Sequence, residues 1–110
     1  MSHDPSHPGD EIDALANDWE RSDHCERLAA YYRNLWFVGQ RQEIDYVVER
    51  ARLGDARFKK MNRAQKEATG RQRWARSADA RDFVEGEQMY TRWALLYAAR
   101  ASLVQAGPDR

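Results

Sequence analysis

From Ser77 onward the chain repeats apolar side chains in steps of three and four: Ala80, Phe83, Val84, Tyr90, Trp93, Ala94, Tyr97, Ala101 and Val104. An α-helix turns about 100° per residue, so such steps share one side of a helix, whereas a strand would scatter them over both faces. Kept up for about seven turns of 3.6 residues each, the pattern commits the C-terminal third to one long amphipathic helix. Ser77 is a suitable N-cap, and Gly107-Pro108 is a stop.

The rest of the chain also reads as helical. Asp10 is an N-cap with Glu11 and Asp13 behind it, and Ile12, Leu15, Ala16 and Trp19 follow at helical spacing. The polar stretch 20–24 interrupts that stripe, with Asp23 and Glu26 able to form a capping box. The stripe resumes as Cys25, Leu28, Ala29, Tyr32, Leu35 and Trp36. Whether 10–37 forms one helix or two stays open. Gly39 is weak punctuation, and Ile44, Val47, Val48 and Ala51 predict a helix from about residue 41 to Leu53. Gly54-Asp55 reads as a C-cap followed by a new N-cap, with a further helix to about Thr69 ended by Gly70 and a connector over 71–76. No segment sustains strand alternation. The expectation is an all-α chain: a small three- to four-helix domain with a long C-terminal helix, a single domain over 10–107 preceded by a flexible tail at 1–9.

Composition says what fills the core. Ile, Leu, Val and Phe number only 17 of 110 residues, while there are twelve aromatics, four of them Trp, and sixteen alanines. Aromatics packed against small residues must replace the missing branched aliphatics. The longest hydrophobic run, Trp93 to Ala99, is far short of the ~20 residues a bilayer span needs. A single cysteine, Cys25, cannot make an internal disulfide, and the first nine residues lack the basic start and apolar core of a signal peptide. A cytoplasmic setting is expected, with no membrane partner.

Zero net charge hides a cancellation. Residues 1–49 hold 11 acids and 4 bases, 50–76 hold 2 acids and 10 bases, and 77–110 hold 5 acids and 4 bases. On a continuous helix, Lys59, Arg63 and Lys66 would form a basic outer face opposite an apolar seam of Phe58, Met61, Gln65 and Ala68, and Arg71, Arg73 and Arg76 would surround the Trp74 indole. Three readings compete. The basic face is solvated or pairs with acids such as Asp13, Asp18, Glu20, Glu43 and Glu49, with Trp74 anchored in the core; it docks an acidic protein surface; or it binds nucleic acid, with Trp74 stacking on an unpaired base.

Catalytic chemistry is thinly represented. The three histidines stand at positions 3, 7 and 24, so the long C-terminal helix has none. His24 and Cys25 are helix neighbours pointing about 100° apart and make no dyad. Neither a phosphate-cradling glycine loop nor a nucleophile elbow is present. Asp79, Asp82 and Glu85 are ordinary acids of early helical turns, and Met1-Ser-His3 is better read as tail than as a copper or nickel site. No metal, cofactor or enzymatic activity is expected.

The expected function is a non-enzymatic protein–protein interaction module, an adaptor or a self-assembling subunit, with a second protein or another copy as partner. Its candidate interface anchors are Trp36, Phe37, Tyr90, Trp93 and Tyr97, since Trp and Tyr dominate binding energy at interfaces. The alternative is a small nucleic-acid-binding regulator using segment 57–76.

Overall fold

The computed structural model describes residues 10–13, 15 and 17–105, so the expected tail and the Gly107-Pro108 stop lie outside the described residues. Four helices follow in order: α1 (Asp10–Asp13), α2 (Asp18–Arg52), α3 (Arg63–Ala75) and α4 (Ala78–Gln105). No strand occurs among the described residues. The all-α expectation, with its long C-terminal helix, holds. The described chain divides into two compact units, residues 1–32 with 85–110 and residues 33–84, and both α2 and α4 contribute to each.

In the first unit the core is Ile12, Cys25, Ala29, Tyr90, Ala94 and Tyr97, with Leu28, Tyr32, Met89 and Trp93 packed around it. The rings of Tyr32 and Tyr90 stack 5.7 Å apart at 11°. Gly86 makes room for them, because a Cβ there would lie 3.0 Å from the Tyr32 ring. The Ser22 hydroxyl, though buried, donates to the Ala94 carbonyl at 2.8 Å. The question left open over 10–37 resolves as one turn of helix and then a long one. Asn17 supplies the cap of α2, its Oδ1 accepting from the Glu20 amide at 2.9 Å. Asp23 and Glu26 lie inside α2, so no capping box forms there.

Asp18 ties the start of α2 to α4. The Arg100 guanidinium donates to it twice, at 2.7 and 2.8 Å, and Arg21 donates at 2.6 Å. Arg100, aided by Arg21 and opposed by partial burial, holds the Asp18 carboxyl down at about 2. A carboxylate depressed in the folded state stabilises fully above its ordinary pKa near 4 and loses that contribution as pH falls through its folded value. Asp18→Asn is therefore expected to be less stable than wild type at neutral pH, with the gap closing between about pH 4 and pH 2. Urea midpoints measured across that range check this, and a gap independent of pH would contradict it.

The second unit has Val47, Ala51 and Phe58 at its centre with Met61 beside them, and Ile44, Trp74 and Ala80 are buried as well. Helix α2 ends in a left-handed glycine: Gly54 has φ +89°, its amide donates to the Ala51 carbonyl, and the Asp55 amide donates to that of Arg50. This paired closure satisfies two terminal carbonyls. Asp55 then organises the following turn, accepting from the Arg57 amide and side chain and from Arg50. Those hydrogen bonds, led by the Arg57 side chain, push its pKa far below the usual carboxylate range.

Four expectations fail in this unit. Residues 55–62 form turns rather than helix, and α3 begins only where Asn62 and Gln65 exchange side-chain and backbone hydrogen bonds as a capping box. Gly70 does not end that helix but lies buried within it. A Cβ at Gly70 would come within 2.6 Å of the Ile44 Cα, so the glycine is needed for α3 to approach α2. The expected connector over 71–76 is accordingly helical as far as Ala75. Gly39, likewise, sits within an unbroken α2, where the Trp74 ring fills the place of its missing side chain. Ser77 then caps α4 as expected, accepting from the Ala80 amide and donating to the Trp74 carbonyl.

Candidate interaction surface

The basic residues do not form the single face expected of a continuous helix. Lys59 is exposed on the turn segment, while Arg63, Lys66, Arg71, Arg73 and Trp74 belong to α3, and Arg76 caps its C-terminus. The seam of Phe58, Met61, Gln65 and Ala68 does not form either, since Gln65 and Ala68 are exposed and α3 turns Gly70 and Trp74 inward. Several of the guanidinium groups have local partners. Arg63 and Arg71 both reach Glu67, at 3.4 and 3.3 Å, and Arg73 meets Glu43 at 2.7 Å. Arg73 also lies over the Tyr46 ring at 5.2 Å. Lys59, Lys60 and Arg76 are exposed.

Trp74 is a core residue of the second unit. It is only 6% exposed, lies edge-on to Trp36 at 6.3 Å and tilted against Phe83 at 6.1 Å, and fills the space beside Gly39. Its buried indole N–H has no hydrogen-bond partner among the described residues. An indole enclosed in this way has no open face for a base.

The aromatic anchors separate in the same manner. Tyr90 and Tyr97 are core residues of the first unit, and Trp93 packs against them half-buried. Both tyrosines therefore present little surface to a partner. Trp36 is half-buried, and Phe37, in T-shaped contact with it at 5.1 Å, is exposed.

The larger apolar exposure lies elsewhere on α4. Leu95, Leu96 and Leu103 are 69%, 51% and 74% exposed, and Ala99 between them is exposed too. At about 100° per residue these four stand on the side of α4 opposite Tyr90, Ala94, Tyr97 and Ala101. The helix thus has two apolar faces, one covered by its own unit and one bare. Helical spacing carries the signal for the second face, because Leu96, Ala99 and Leu103 also step by three and four. Beside the main stripe, Leu95, Leu96 and Leu103 are already legible in the sequence as an apolar excess at the flanks of this helix.

Little here is arranged for covalent chemistry. Cys25 is buried among apolar neighbours, and that burial pushes its thiol up to about 11, away from the reactive thiolate. Among the described residues no three His, Cys, Asp or Glu side chains stand close enough to hold a metal ion, and Asp79, Asp82 and Glu85 are exposed. No helix among them is long and apolar enough to cross a membrane. No protein-family profile, curated protein or solved structure matches this chain.

Proposed function

We propose that this chain is a non-enzymatic helical interaction module of the cytoplasm, binding another protein or a second copy of itself through the outer face of α4. The observation that carries this reading is the bare leucine face, Leu95, Leu96 and Leu103, on a helix whose opposite side already closes a core. Single exposed apolar residues are ordinary, but a contiguous group is the usual mark of a contact surface. The unpaired thiol of Cys25 suits a reducing compartment.

The nucleic-acid alternative is the weaker one. It retains exposed Lys59, Lys60 and Arg76, but its stacking residue is buried and three of its arginines hold carboxylates.

A photo-crosslinking residue placed at Leu95 or Leu103 in the native cell tests the proposal. The expected result is adducts of discrete mass that disappear when Leu96→Glu is added, with far-UV circular dichroism unchanged. A chain that crosslinks to nothing at either position overturns it.

A further inference from the structure

The second unit carries a depression of about 330 Å³ beside the α3 N-terminus, lined by Arg57, Lys60, Met61, Ala68, Thr69 and Gln72. Met61 and Ala68 offer it a thioether and a methyl group, and Lys60 brings a cation, as does Arg57, which Asp55 already holds. Lys60 is exposed, as is Lys59 next to it. A site of this kind suits an apolar side chain flanked by carboxylates.

The chain itself displays such a segment. Along the first turns of α2, Trp19, Asp23, Glu26 and Ala30 are all exposed and follow one another by four, three and four residues, so they share one side of the helix. Trp19 keeps 43% of its surface open. The two compact units are moreover opposite in sign. Residues 1–32 with 85–110 hold 11 acids and 5 bases, whereas 33–84 hold 7 acids and 13 bases.

We propose that the Trp19–Asp23–Glu26 stripe of one copy docks into the Lys60–Met61 depression of a second copy, giving a head-to-tail contact between unlike units. This inference goes beyond the α4 reading: it names a second copy as partner and uses a surface other than the outer face of α4. A tryptophan seated in a pocket and ringed by complementary charge is the arrangement that concentrates binding energy. Unlike surfaces meet in this contact, so it is heterologous, and its repetition closes into a ring or runs on as a chain.

Sedimentation of the full chain over a concentration series tests the proposal. Association is expected to weaken at least about tenfold between about 0.01 M and 1 M salt, as the screening length falls from about 30 Å to about 3 Å. Asp23→Lys with Glu26→Lys is expected to abolish self-association, and so is Lys59→Glu with Lys60→Glu. An equimolar mixture of these two variants is expected to associate again, because each then presents a surface complementary to the other. Circular dichroism establishes that both remain folded. A wild-type monomer at low salt, or a mixture that stays monomeric, overturns the proposal. Crosslinked adducts from the α4 face would then still stand for the module reading, and their absence would end that reading alone.

Discussion

Gly70→Ala is expected to destabilise the unit formed by residues 33–84, although alanine is the better helix former by about 1 kcal/mol. The added Cβ would lie 2.6 Å from the Ile44 Cα and 3.0 Å from its amide nitrogen. Backbone atoms cannot rotate away, so α3 must move off α2, and overpacking of this sort costs about 1–3 kcal/mol. Gly39→Ala makes a useful contrast. The three atoms nearest its Cβ, at 2.1 to 2.6 Å, would all be side-chain atoms of the Trp74 ring. Trimming that ring by Trp74→Leu is therefore expected to absorb part of the cost of Gly39→Ala. Trimming Ile44 to alanine is expected to leave the cost of Gly70→Ala in place. Urea unfolding of the single and double variants measures both couplings, and a Gly70→Ala protein as stable as wild type would refute the close approach.

Trp74→Ala is expected to cost about 3–5 kcal/mol, as emptying a buried aromatic site generally does. Small domains have a total stability of about 5–15 kcal/mol, so this one change consumes a large share of it. The indole is packed by Trp36 and Phe83 and fills the space beside Gly39. Trp74→Phe is expected to cost much less, since it keeps an aromatic ring and removes a buried N–H that has no partner. The experiment also separates two roles for the residue. A surface tryptophan awaiting a base could be truncated within about 0.5 kcal/mol, so a Trp74→Ala protein of wild-type stability would return it to the nucleic-acid reading.

The helical class, the cap at Ser77 and the long C-terminal helix were legible in the chain, because local rules govern them. Apolar spacing sets which side of a helix turns inward, and a hydroxyl beside the first turn satisfies an amide there whatever lies around it. The exposed tip of Gly54 belongs to the same group, since its positive φ and its two closing hydrogen bonds involve only near neighbours. Even the bare face of α4 was written in the spacing of Leu96, Ala99 and Leu103, though only burial of the opposite side tells which face remains open.

Gly39 and Gly70 show where local reading stops. A glycine that breaks a helix and a glycine that lets two elements touch look alike in the chain, because the difference lies in what occupies the space of the missing Cβ. Here that occupant is the Trp74 ring in one case and the Ile44 backbone in the other, 35 and 26 positions away. The same long-range packing moved Trp74 inward, placed Tyr90 and Tyr97 in a core, and paired Arg73 with Glu43 across 30 positions. Periodicity and capping are short-range and leave a record in consecutive residues. Close approach and burial depend on which distant segments meet, and in this chain those meetings determined which aromatics and which charges remain exposed.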